Sequence, residues 1–186
     1  MSEVICISGK SQSGKDTLGI YMKSTLESHG KKVLTMHYAD MVKAYAKLYY
    51  HWDGNKNEEG RQLLQTLGTD IVRASDPDYW TDMVGRFIKA TRGYYDVVLI
   101  PDARFPNEIE HLDDLGLNVT AIRINRYDNG KPFVNPAMTE EQLMHPSETS
   151  LDNYCGFDYV VENSSLHELQ EASHGLLIDL GLIEEE

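Results

Sequence analysis

Residues 9–15 constrain this chain most. Gly9-Lys10-Ser11-Gln12-Ser13-Gly14-Lys15 fits the pattern G-x-x-x-x-G-K, and its flanks matter as much as the string itself. Before it runs Glu3-Val4-Ile5-Cys6-Ile7-Ser8, a short apolar stretch with β-branched residues that reads as a buried strand. After it, Leu18, Tyr21, Met22, Thr25 and Leu26 recur at helical spacing from Lys15 to about Glu27, and His29-Gly30 closes that helix. A strand, a tight glycine turn and a helix N-terminus in succession aim backbone N–H groups and the positive end of a helix dipole at one point, which suits phosphate. Lys10 to Gly14 would line that cradle, and the Lys15 ammonium would reach the outer phosphates of a nucleoside triphosphate.

The two residues that follow are unusual. Most loops of this kind place Ser or Thr directly after the lysine as a magnesium ligand. Here Asp16 comes first and the hydroxyl follows at Thr17. Thr17 then contacts phosphate or Mg²⁺; Asp16 either holds Mg²⁺ through water or favours the first helical turn.

The rest of the chain alternates strands with helices. Strands are expected at Val33–His37, Asp96–Ile100, Asn118–Ile124 and Phe157–Glu162; helices at Asp40–Tyr50, Glu58–Arg73, Asp76–Thr91, Pro106–Leu115 and Ser165–Leu180. That alternation implies a doubly wound parallel α/β sheet. Residues 125–146 have no apolar period and contain Gly130, Pro132, Pro136 and Pro146, so they read as structureless, a lid (to about 148) or a disordered segment, and 38–92 as a helical region for an acceptor. A single domain over 1–186 fits the length.

Charge excludes some partners. With 30 acidic and 17 basic residues the formal charge is −13, which argues against polymeric nucleic acid but leaves room for a small anion in a cationic cleft. No apolar run approaches the ~20 residues that span a bilayer. Two cysteines and no signal-peptide layout suit the cytoplasm. Oligomeric state stays open between monomer and homodimer.

Candidates for acceptor chemistry collect beyond the central strands. Asp102 and Arg104 follow the apolar run ending at Ile100, where ligands of such sheets gather. Asp102 would serve the Mg²⁺ shell or the acceptor phosphate, or else cap a helix; Arg104 offers a planar fork for a phosphoryl group. Asp40 with Lys43, and Arg61, Gln65, Thr69 and Arg73 at helical spacing, are candidate acceptor contacts, though a polar stripe is more often a solvated face. Trp80 either stacks on a base or packs in the core. Glu108 joins this group. Arg123 and Arg126 stand at the root of the lid, and Ser147-Glu148 near its far end either bind substrate or cap a short helix. Asp113-Asp114-Leu115-Gly116 and Asn125-Arg126-Tyr127-Asp128 mimic GTPase motifs, but the first closes a helix and only eight residues separate them.

Taken together, these pieces resemble the phage-type deoxynucleoside monophosphate kinases. The resemblance rests on Gly9 to Thr17, Tyr38-Ala39-Asp40 with Lys43, Leu63 to Asp70, Asp102-Ala103-Arg104-Phe105-Pro106-Asn107-Glu108 and His145-Pro146-Ser147-Glu148-Thr149-Ser150-Leu151-Asp152. It implies an adenylate-kinase-like P-loop NTPase fold: a three-layer αβα sandwich on a five-stranded parallel sheet of order 2-3-1-4-5, with a lid. It also implies ATP and Mg²⁺, acceptors such as dTMP or dGMP, and a phage gene working in the host cytoplasm. Met41 departs from the proline usual in the family. The chain is also similar to animal-type phosphomevalonate kinases in Gly14-Lys15-Asp16 and in Phe157 to Asn163. A third reading is an ATP-binding switch module without an acceptor.

Overall fold

The structure, a computed structural model, describes residues 2–185. Five strands run parallel: β1 (Glu3–Gly9), β2 (Val33–Thr35), β3 (Val97–Ala103), β4 (Asn118–Asp128) and, after a two-residue β5 (Lys131–Pro132), β6 (Tyr159–Asn163). They lie side by side as β2-β3-β1-β4-β6, the expected order of five. The short β5 folds back antiparallel on the end of β4 and was not foreseen.

Helices cover both faces, which is why β1 is apolar on both sides. Val4 and Cys6 point into a core shared with α2 (Tyr38–Tyr50), α4 (Tyr79–Ala90) and α5 (Asn107–Asp114). Ile5 and Ile7 point the other way, against α1 (Lys15–Ser28) and α8 (Leu166–Asp179). Burial on this scale pushes the Cys6 thiol far above its usual range. The loop after β1 is therefore anchored at one end by a strand buried on both faces and at the other by a helix packed under α8.

Three expectations change. The helix over Glu58–Arg73 is not one regular element: α3 (Glu58–Gln65) passes into a π-helical stretch, Thr66–Arg73. Wider winding breaks the polar stripe counted at α-helical spacing, because residues four apart no longer stack on one line. Arg61 instead reaches the Ala137 carbonyl at 2.7 Å, while Arg73 turns inward to Glu108.

Trp80 is 2% exposed and belongs to the core. Its Nε1–H donates to the Gly68 carbonyl in the π-helical stretch at 2.9 Å, and Tyr79 and Tyr45 pack around its ring. A base cannot stack on a ring enclosed in this way.

The stretch 125–146 is not structureless. β4 continues to Asp128, Asn129 and Gly130 both adopt positive φ (50° and 74°) as a tight hairpin turn, and α6 (Glu140–Met144) and α7 (Pro146–Thr149) follow.

Trp80→Phe keeps an aromatic ring in the core but is smaller and leaves the Gly68 carbonyl without its donor. Urea denaturation should read a loss of roughly 1–3 kcal/mol, with the KM of any acceptor unchanged; a raised KM at unchanged stability would return Trp80 to the ligand.

Candidate functional site

The loop after β1 turns on glycine. Gly14 has φ 106°, and a Cβ there would lie 2.7 Å from the Asn163 amide. A Cβ on Gly9 would fall 2.4 Å from Ser13 Oγ and 2.7 Å from the Ile124 carbonyl. Inside the loop, Ser13 Oγ is buried without a hydrogen-bond partner. Lys15 Nζ spans the loop to the Lys10 carbonyl at 2.8 Å. Burial pushes the Lys15 ammonium down to about 7, and the nearby Arg104 guanidinium adds repulsion while Glu148 opposes the shift. A cradle too tight for side chains, an orphaned hydroxyl and a desolvated lysine fit the phosphates of a nucleotide.

Side chains from distant segments brace this loop. Asn163 at the end of β6 donates to the Ser13 carbonyl at 2.7 Å, Asn135 donates to Ser11 Oγ at 2.9 Å, and Arg126 donates to the Gln12 carbonyl at 2.9 Å. A hollow of about 530 Å³ opens between Gln12, Thr17, Arg126, Asn163 and Leu166. Another of about 460 Å³ lies under the β4–β5 hairpin, between Lys10, Arg123, Tyr127, Phe133 and Leu143. A comparable hollow of about 560 Å³ at the amino end of the sheet, by Glu3, Lys31 and Arg92, is remote from the loop. The carboxyl ends of the strands are where such a fold gathers ligands.

Arg104 arrives from the turn after β3. Its guanidinium pairs with the Glu148 carboxylate and donates to the Ser147 carbonyl at 3.1 Å. Glu108 orients that turn: 2% exposed, its carboxylate accepts the backbone N–H of Arg104 at 2.6 Å and of Phe105 at 3.1 Å. Burial lifts the Glu108 carboxyl to about 7 despite its pair with Arg73. Arg73 also donates to Asn107 at 3.0 Å, and its guanidinium lies 3.9 Å from the centre of the Phe105 ring. Glu108 and Arg73 thus hold the frame behind Arg104 and do not face an open cleft.

Asp102 caps a helix, but a different one from the helix that follows it. Its two oxygens accept the N–H groups of Tyr38 and Ala39, both at 3.0 Å, pinning the start of α2 to the end of β3. Burial raises its carboxyl above the usual range, and those two bonds offset part of the rise. Asp16, by contrast, stands exposed at the loop exit. His37 Nε2 lies 3.6 Å from it, and His37 Nδ1 lies 3.3 Å from Asp40. Contact with Asp16 raises the His37 imidazole and lowers the Asp16 carboxyl. Lys43 meets Asp40 at 3.1 Å.

Among the described residues no three His, Cys, Asp or Glu side chains gather as a metal site. Asp16 and the half-buried Thr17 could still hold Mg²⁺ if phosphate oxygens and water completed its shell, the usual habit of that ion.

The structure therefore brings Lys10, Ser11, Ser13, Lys15, Arg104, Arg123 and Glu148 into one cluster, with Arg126 and Gln12 beside it. Asp40 and Lys43 form a neighbouring group, while Gln65 and Thr69 remain on the helical arm. His37, Asn135, Asp152 and Asn163 also belong here and were not singled out from the sequence. Asp152 lies within the His145 to Asp152 string but carried no assigned role; it sits 2.6 Å from Lys10 and 3.3 Å from Arg123. No helix of the described residues is long and apolar enough to cross a membrane.

A family model described as deoxynucleotide monophosphate kinase matches residues 25–172, so the phosphate loop stands on its own geometry outside that match. Among curated proteins, the uncharacterized protein ORF77 of Ictalurid herpesvirus 1 (strain Auburn) is 31% identical over 107 residues, covering 57% of this chain. The chain spans only 42% of that relative's length. Two solved structures share the fold with a TM-score of 0.55 and 14% identity. A sugar kinase from Janibacter sp. HTCC2649 matches over 100% of this chain and 99% of its own; a shikimate kinase from Aquifex aeolicus matches over 96% and 98%.

The Lys15 shift has a signed consequence. Below about pH 7 the ammonium is charged, above it increasingly neutral; a bound phosphate would favour the charged form. Binding of ADP at pH 8 should take up close to one proton, and affinity should weaken up to about tenfold per pH unit above 7. Calorimetry in two buffers of different ionisation enthalpy measures that uptake; heats independent of buffer would contradict it.

Proposed function

The chain belongs to the deoxynucleotide monophosphate kinase family, and from that membership we propose that it moves the γ-phosphoryl group of ATP to a deoxynucleoside monophosphate such as dTMP or dGMP. One observation carries the reading. The loop N–H of Ser11 and the Arg104 guanidinium both bind a single carboxylate, so the donor loop and the arginine on the acceptor side stand one anion apart. A transferred phosphoryl group needs that spacing, because its charge spreads over oxygens facing both partners.

Each residue then has a task in an in-line transfer without a covalent enzyme intermediate. Loop amides from Lys10 to Gly14 and the Lys15 ammonium hold the outer donor phosphates. Arg126 and Arg123, from β4, bracket the loop and neutralise charge from the lid side. Arg104 takes up the negative charge that develops during transfer, and Glu108 keeps its turn in register. Asp40, Lys43 and Gln65 face the acceptor. Magnesium, when bound near Thr17 and Asp16, would supply charge neutralisation between phosphate oxygens. The acceptor is itself a phosphate monoester, so none of these residues has to act as a strong base.

The test is ADP release from ATP and Mg²⁺ against dTMP, dGMP, dCMP, dAMP, their ribose forms and phosphomevalonate. Turnover with one or more deoxynucleotides is the expected result, and Lys15→Ala should lower it at least about 100-fold with the fold intact. Turnover with phosphomevalonate alone would move the acceptor to the similar mevalonate-type enzymes. ATP binding without acceptor-dependent turnover would favour a switch module.

A further inference from the structure

The segment after the lid already presents two carboxylates to the phosphate site. Glu148, on α7, is 8% exposed and directed inward. One of its oxygens accepts the Ser11 backbone N–H at 2.9 Å, the other pairs with Arg104, and its own carbonyl accepts from Lys10 Nζ at 2.6 Å. Four residues on, Asp152 takes Lys10 at 2.6 Å and Arg123 at 3.3 Å. Between them the two acids engage three cations and a loop amide, the donors that a phosphoryl group would need. A charge-assisted bond to a carboxylate oxygen and one to a phosphate oxygen use the same N–H, so the two cannot be made at once.

Resting on the kinase reading, we propose that residues 148–152 are an internal phosphate mimic: Glu148 competes with the phosphoryl ligand for Ser11 and Arg104, and ligand entry releases α7 from the loop. The placement of α7 supports this. His145 caps it through Nδ1, 3.2 Å from the Ser147 N–H, and Pro146 begins it, so α7 is a single four-residue turn, too short to keep its own backbone bonds once it leaves the loop. Toward the helical arm, His145 Nε2 lies 3.7 Å from Asp70. A competitor of this kind lowers apparent affinity by the fraction of molecules in which it is displaced. It also makes the lid respond to occupancy of the phosphate seat and not to the base.

The experiment uses the full chain and pyrophosphate and ADP as probes, read by calorimetry. If the displaced form is about a tenth of the population, Glu148→Ala should bind pyrophosphate roughly tenfold tighter than wild type, with Glu148→Gln between the two. Asp152→Asn should tighten binding less, because Lys10 keeps the Glu148 carbonyl. Glu141→Gln removes the same charge from the exposed face of α6 and should leave the affinity unchanged; equal tightening there would reduce the effect to net charge and overturn the proposal. Unchanged or weaker binding in Glu148→Ala would overturn it too, the latter by making Glu148 a ligand contact. Hydrogen exchange on the wild-type chain decides the matter if the variant fails to fold: saturating pyrophosphate should speed exchange at Glu148 and Ser150 severalfold, and slowed or unaltered exchange would overturn it. Wild-type protein that binds neither probe would overturn the kinase reading itself, and the mimic with it.

Discussion

The burial of β1 on both faces is the constraint on which the rest depends. A phosphate cradle works only if its N–H groups stay fixed while a highly charged ligand comes and goes, and a free glycine loop would not stay fixed. Here Val4 and Cys6 on one side and Ile5 and Ile7 on the other hold the strand leading into the loop. The first turn of α1 is held against α8 beyond it. Gly9 and Gly14 then turn the chain between two packed ends, so much of the cost of ordering the loop is met during folding, before any ligand arrives.

Around that loop the chain solves a charge problem that its net charge conceals. A strongly acidic protein has gathered Lys10, Lys15, Arg104, Arg123 and Arg126 at one end of its sheet. Each is held by an acid or a carbonyl, from the loop itself for Lys15 and Arg126 and from residues 147–152 for the rest. The acids divide into two kinds. Asp102 and Glu108 are buried and serve backbone N–H groups, fixing the start of α2 and the turn that bears Arg104. Glu148 and Asp152 pair with Lys10, Arg104 and Arg123 beside the phosphate loop, Glu148 also accepting the Ser11 N–H. Removing a carboxylate of the first kind would undo the start of α2 or the turn before α5; removing one of the second would leave cations beside the loop without their partner.

How far the sequence foretold this follows from the range of the interactions. The parallel strands were legible because burial on both faces writes a continuous apolar run, and the phosphate loop because its glycines and lysine must sit at fixed offsets. Arg104 was legible by its place after a central strand. The bracing residues were not: Asn135 and Asn163 meet the loop across 124 and 150 positions, and a lone asparagine carries no local mark of that. Asn129-Gly130 did carry a local mark, the preferred pair for a two-residue hairpin turn. The residues flanking it, Tyr127-Asp128 and Lys131-Pro132, lack the strand-like alternation that makes such a pair read as a hairpin. The polar stripe Arg61-Gln65-Thr69-Arg73 misleads for a different reason: it presupposes a 3.6-residue period, and packing against Trp80 and Val42 accompanies wider winding.

That winding bears on which changes of length the chain can absorb. A π-helical stretch amounts to an α-helix carrying an extra residue. Dropping one residue between Thr66 and Arg73 would restore regular winding and a better-bonded helix, yet rotate Arg73 away from Glu108 and leave that buried carboxylate without its cation. At the Asn129-Gly130 tip, where nothing lies within 4 Å of a Cβ on the glycine, added residues would meet only solvent. Insertions and deletions should therefore accumulate at the hairpin tip and be purged from the helical arm, although the arm is the segment whose local geometry a deletion would improve.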